Sequence, residues 1–240
     1  MIIPVGDMNP RRTVPFVNYA LLLANIAVFV YEVMYVRPRG DPPSDEQVNA
    51  FNAYIGTYAL QPDRWQDLKT LFTSMFMHGD IAHLAGNMLF LWIVGDNVED
   101  RLGHVPYLVF YGVAGLAGAA AHILFALTYA PSMAGVPTLG ASGAISGVMG
   151  AYLAFFPGSK IKFILWLIIF IRPFTLPSWG AIGFWVATQV FMARNQMDGI
   201  DKGESALVAV FAHLGGFAFG LAFAILVRMI GRKPARKSQD

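Results

Sequence analysis

Val210-Phe211-Ala212-His213-Leu214-Gly215-Gly216-Phe217-Ala218-Phe219-Gly220 is an apolar run broken by a single histidine. It lies in a stretch from about Glu204 to Ile230 that is long enough to cross a bilayer as a helix. A second apolar helix opens on Leu139-Gly140-Ala141-Ser142-Gly143-Ala144, with no acidic residue near the serine. Polar groups at such depth are expensive and usually functional. The two stretches together therefore hold a candidate nucleophile and a candidate base inside membrane-spanning segments.

Composition supports the membrane reading. Of 240 residues, 56% are hydrophobic and only 13% charged, against about 25% charged in soluble domains. Mean hydropathy is +0.52. The chain has no cysteine, which removes disulfides, thiolate metal sites, thiol nucleophiles and covalently attached haem. The net charge of +2 gives no sign of a nucleic-acid surface. The basic C-terminal residues read as a membrane-side anchor.

Six spans can be counted, and they define an all-α polytopic membrane bundle. The first is Val14 to Val36, preceded by Arg11 and Arg12 and too long for a signal-peptide core. A polar stretch from Arg37 to Thr70 follows, in which Phe51, Tyr54, Ile55, Tyr58 and Leu60, then Trp65, Leu68, Leu71 and Phe72, fit short helices lying on the membrane. The second span is Ile81 to Val98, the third Pro106 to Tyr129, the fourth Gly140 to Phe156, the fifth Leu176 to Ala193 and the sixth Glu204 to Ile230. Ile161 to Ile171 is apolar but only 11 residues long, flanked by Lys160, Lys162 and Arg172. It is too short to cross and reads as interfacial or partly re-entrant.

With both termini on one side, the terminus side carries 11 of the 17 lysines and arginines and the other side 6. The positive-inside rule then puts the termini in the cytoplasm. This divides the chain into a cytoplasmic N-terminal segment (1–13), a six-span domain (14–230) and a basic cytoplasmic tail (231–240). Spans two, four and six all enter from the outer side, so His83, Ser142 and His213 reach similar depth in the outer half.

A hydroxyl becomes a useful nucleophile when a neighbouring base takes its proton, and a neutral imidazole is suited to that task. No Asp or Glu lies near these residues within the spans, so a Ser-His dyad is the form expected, not an acid-oriented triad. The Ser142 N–H at a helix N-terminus is a natural oxyanion donor. His83 and Asn87, spaced i and i+4, share a helix face and can add two more.

Plainer readings exist for each feature. A lone serine in a transmembrane helix is more often a small packing residue, and Gly140, Gly143, Gly147, Gly150, Gly216 and Gly220 could be only close-packing faces. An intramembrane histidine could bond another helix or ligate haem. His122 and His78 read as structural hydrogen bonders, and His104 falls in a cytoplasmic loop. Trp92, Trp166, Trp179 and Trp185, near span ends, fit interfacial anchoring.

Taken together, the motifs resemble one family, the rhomboid intramembrane serine proteases. The resemblance rests on Thr73 to Phe90, which includes His78-Gly79-Asp80-Ile81-Ala82-His83-Leu84-Ala85-Gly86-Asn87. It rests equally on Val98-Glu99-Asp100-Arg101-Leu102-Gly103, Gly140-Ala141-Ser142-Gly143 and Ala212-His213-Leu214-Gly215-Gly216. The resemblance implies Ser142 as nucleophile, His213 as base, and His83, Asn87 and the Ser142 amide as the oxyanion hole. Gly216 and Gly220 would let span six approach span four. Arg37 to Thr70 would be a first loop lying half in the membrane, Arg194 to Glu204 a loop capping the site, and span five the mobile side of a lateral gate.

One position departs from the pattern. Some family members carry an aromatic residue four positions after the nucleophile, against the catalytic histidine; here it is Ser146, so the imidazole must be held by a hydrogen bond or by another span.

The expected protein is a minimal six-span serine endopeptidase of a prokaryotic plasma membrane. It would act on transmembrane segments of other proteins within the lipid bilayer, with no cofactor, no metal and no nucleic-acid partner. The competing readings are a non-catalytic protein of the same fold that binds client helices, and a haem-binding or transport bundle using His83, His122 and His213.

Overall fold

A computed structural model of the chain describes residues 2–167, 170–201 and 209–231. In order the elements are β1 (Ile2–Asp7), α1 (Phe16–Tyr31), α2 (Asp45–Tyr58), α3 (Leu68–Thr73), α4 (Ile81–Leu102) and α5 (His104–Tyr129). They continue with α6 (Ser142–Phe155), β2 (Lys160–Leu167), β3 (Phe170–Pro177), α7 (Ser178–Asp201) and α8 (Val210–Ile230). Among the described residues, four helical stretches are long and apolar enough to cross a membrane: Phe16–Val36, Ile81–Leu102, His104–Tyr129 and Val210–Ile230. Helix α6 is apolar but shorter. The molecule is a mostly helical, multi-pass membrane protein.

The helices keep their polar side chains inward and leave many large apolar ones exposed on the outer surface, as a bilayer allows. In α1 the inward face is Asn18, Leu21, Leu22, Asn25 and Phe29, while Leu23, Ile26 and Val30 are exposed. Its first turn lacks a cap of its own, and the chain supplies one from α4. The fully buried Glu99 carboxylate accepts from the N–H groups of Val17 at 3.0 Å and Asn18 at 2.7 Å, and it meets His104 Nδ1 at 2.5 Å. Asp100 accepts from Thr13 N, Thr13 Oγ1 and Arg12 N. Carboxylates at a helix N-terminus satisfy orphan donors and complement its dipole, so Glu99-Asp100 locks α1 to the end of α4. His104 is thus the first residue of α5, not a loop residue.

The stretch between α1 and α4 is helical in short pieces, as its amphipathic spacing requires. Helix α2 starts with a capping box between Ser44 and Gln47, and Tyr54 on it donates to Glu32 at the end of α1.

One expectation fails: the chain is not all-α. The segment expected to be interfacial or re-entrant forms the hairpin β2–β3, and β1 adds to it to make a three-stranded antiparallel sheet in the order β1-β2-β3. The reason is physical. Eleven apolar residues cannot span a bilayer as a helix. A run rich in Ile and aromatic side chains favours the pleated form, and pairing satisfies its backbone groups. The sheet turns Ile161, Phe163, Phe174 and Leu176 toward α4 and α7, where with Phe90, Ile93, Met149, Ile182 and Trp185 they line an apolar cavity of about 430 Å³.

Helices α6 and α8 run in parallel and touch backbone to backbone. A Cβ added to Gly216 would collide with the Gly143 carbonyl, and one added to Gly220 with the Gly147 carbonyl. Two matching small-xxx-small ridges, Gly143/Gly147 and Gly216/Gly220, therefore interlock. On its other side α8 packs on α5, where a Cβ on Gly118 would strike the Ala212 carbonyl at 2.7 Å. The part of the expected sixth span at 204–208 lies outside the described residues, as do the basic tail from 232 onward and Lys202 to Glu204 of the expected capping loop.

Candidate active site

Helix α4 is capped by Asp80, whose carboxylate accepts from the His83 N–H at 2.8 Å. This fixes where the helix starts and therefore which way its first turns face. His83 and Asn87, one turn apart, both line a cavity of about 230 Å³ with Phe90, Ser142, Ile145, Ser146, Met149, Trp185 and His213. Phe90, Met149 and Trp185 are shared with the larger apolar cavity.

The turn into α6 lies directly on His83. Gly140 has φ +124, a region L side chains rarely adopt, and a Cβ there would lie 2.8 Å from His83 Cε1 and Nε2. The Gly140 N–H donates to the Ser74 carbonyl at 2.9 Å. Ser142 is the first residue of α6, so its N–H belongs to the unpaired donors at the positive end of the helix. It faces the same cavity as the His83 and Asn87 side chains.

Asn87 is oriented from below by His78. Its Nδ2 lies 2.9 Å from His78 Nε2, and His78 Nδ1 lies 3.3 Å from the Phe76 carbonyl. The carbonyl can only accept, so Nδ1 carries the proton and Nε2 accepts from the Asn87 amide. Burial pushes the His78 imidazole down to about 4, which keeps it neutral at ordinary pH and holds this arrangement. The second N–H of Asn87 remains for the cavity. His78 thus has a hydrogen-bonding role that reaches the site. His122 does not line this cavity and bonds Thr138 Oγ1 at 2.9 Å.

Across the α6–α8 contact, His213 Nε2 lies 2.8 Å from Ser142 Oγ. The sequence separation is 71 residues, and the glycine ridges one turn below close the gap. On the other side of the ring, His213 Nδ1 lies 2.8 Å from Gln189 Oε1 on α7. No carboxylate takes that place. The Trp185 ring, one turn before Gln189, is tilted against His213 with centroids 6.1 Å apart. Ser146, four positions after Ser142, donates to the Ser142 carbonyl at 2.6 Å and leaves the imidazole to other groups. The imidazole is held by a hydrogen bond to another helix, α7.

Two residues of this constellation, Trp185 and Gln189, are not among the site residues that the sequence points to. Trp185 reads from the sequence as an interfacial anchor, yet it walls the cavity. The signal for Gln189 is a polar side chain four residues after Trp185 in the apolar run Phe184 to Met192.

Known proteins of one family resemble the chain over most of its length. A family model described as a rhomboid domain matches residues 65–230. "Rhomboid protein 1, mitochondrial" of Saccharomyces cerevisiae is 33% identical over 168 residues, which is 68% of this chain and 43% of that protein. Rhomboid protease GluP of Bacillus subtilis is 33% identical over 145 residues, 60% of this chain and 25% of that protein. Rhomboid protease GlpG of Klebsiella pneumoniae is 26% identical over 228 residues, 92% of this chain and 66% of that protein. The chain therefore spans less than half the length of the first two relatives.

Proposed function

The chain belongs to the rhomboid family, and from that premise we propose that it is a serine endopeptidase that hydrolyses peptide bonds in or near transmembrane segments of other membrane proteins. The observation that carries this reading is the 2.8 Å approach of His213 Nε2 to Ser142 Oγ at a cavity rimmed by hydrogen-bond donors.

In the mechanism, Ser142 Oγ attacks the scissile carbonyl carbon while its proton passes to His213 Nε2. The carbonyl oxygen gathers negative charge opposite the Ser142 N–H, the free Asn87 N–H and the His83 ring. His213 then gives its proton to the leaving amine, whose C–N bond breaks to leave an acyl-Ser142. Water, deprotonated by the same imidazole, attacks the acyl carbon and releases the second product with Ser142 restored. The scheme calls on no cofactor.

The membrane setting is part of the proposal. Helices α1, α4, α5, α6, α7 and α8 are the six spans, with both termini on the cytoplasmic face of a prokaryotic plasma membrane. The lysine and arginine asymmetry supports that orientation. The substrate reaches the cavity sideways through the bilayer, past α7. A helix buries its carbonyls in hydrogen bonds, so a transmembrane segment that unwinds readily is the preferred substrate.

A fluorophosphonate probe on the purified protein tests the reading. Labelling that is lost in Ser142→Ala and His213→Ala supports an activated serine; an unlabelled wild-type protein would overturn it in favour of a non-catalytic binder of client helices. Asn87→Ala is expected to lower kcat roughly 10²–10³-fold, as for loss of one oxyanion donor, with KM for a model transmembrane substrate little changed. A change confined to KM would contradict the role given to Asn87.

A further inference from the structure

Gln189 is 7% exposed, sits on α7 and makes a 2.8 Å contact with the only ring nitrogen of His213 that does not face Ser142. A side-chain amide oxygen has lone pairs and no proton. Its neighbour Nδ1 must therefore carry the N–H, which leaves the lone pair on Nε2, facing the Ser142 hydroxyl. In a dyad without an acid, this contact selects the tautomer that can act as base. It also fixes ring rotation, because Nδ1 and Nε2 are bonded from opposite sides.

We propose that Gln189 is the positioning residue of the catalytic base, so that the working unit is Ser142-His213-Gln189, assembled from α6, α8 and α7. The inference rests on the assignment of Ser142 and His213 as the catalytic pair. Gln189 touches no reacting atom; it acts through the imidazole, as the acidic member does in a triad. It differs from an acid in being neutral, and a neutral amide is the cheaper group to bury at this depth. Trp185, one helical turn away on the same face, supplies the apolar wall beside the ring. The base is thus complete only while α7 stays against α8, and a sideways displacement of α7 withdraws the acceptor from Nδ1.

The test compares Gln189→Met, which keeps the side chain's length and loses the strong acceptor, with Gln189→Glu, which keeps an acceptor at the same place. Kinetics on a model transmembrane substrate, the rate of fluorophosphonate labelling and the thermal unfolding midpoint are measured for both, with Ser142→Ala alongside. The methionine variant is expected to lose on the order of 10²-fold in kcat and in labelling rate, the scale of a misplaced catalytic group, with KM within about twofold and the unfolding midpoint unchanged. The glutamate variant is expected to recover most of both rates. Wild-type kcat and labelling in Gln189→Met would overturn the proposal. Equal impairment of the two variants would overturn it too, because only a packing role treats them alike. An unlabelled wild-type protein would instead defeat the Ser142–His213 assignment, so the two failures are distinct.

Discussion

Ser142→Ala should leave a protein that inserts and unfolds like the wild type but cleaves a model transmembrane substrate on the order of 10⁴–10⁶-fold more slowly. The hydroxyl is half-exposed in the cavity and bonds His213 Nε2, so its removal opens no void in the packed interior. Every step of the proposed mechanism, by contrast, passes through that oxygen. His213→Ala should fall to a similar level, and the double variant should be no worse than either single one, because nucleophile and base act as one unit. Undiminished proteolysis in the Ser142→Ala protein would sink the mechanism.

Gly220→Val is the change expected to hurt the fold most. Any Cβ at this position would overlap the Gly147 carbonyl group. A backbone oxygen in a helix cannot rotate away as a side chain can, so α8 must move off α6. Overpacking of this kind costs about 1–3 kcal/mol. Because His213 rides on α8 two turns above, the same displacement lengthens the Ser142 contact and should lower activity by at least about 10²-fold. Thermal unfolding in detergent and substrate cleavage check both effects. Gly112→Ala is the internal control: nothing lies within 4 Å of its added Cβ, and replacing a mid-helix glycine should be neutral or stabilising by about 0.5–1 kcal/mol. Wild-type stability and activity in Gly220→Val would mean the ridges do not set the helix spacing.

The helical part of the fold was legible because bilayer crossing leaves a long-range mark in composition. The second span, expected at Ile81 to Val98, is α4 from Ile81 to Leu102, and the third, expected from Pro106, is α5 from His104. The β-hairpin was not legible. A short apolar run has the same periodicity whether it skims a membrane or pairs as strands, and its outer partner β1 lies more than 150 residues away in the chain. The place of Trp185 is hidden for a related reason: a tryptophan at a span end and one at a cavity wall have the same local neighbours.

The sequence by itself determined the membrane setting, the identity of Ser142, His213, His83 and Asn87 as candidates, and the spacing of the glycine ridges. These depend on hydropathy and on i, i+4 geometry, which are local. Only the tertiary structure decided that the ridges of α6 and α8 meet each other, which brings His213 to 2.8 Å from Ser142. It alone also showed that α7 delivers Gln189 to the far side of the imidazole. Both outcomes depend on which helix lies beside which, and the period of a single helix carries no record of its neighbour.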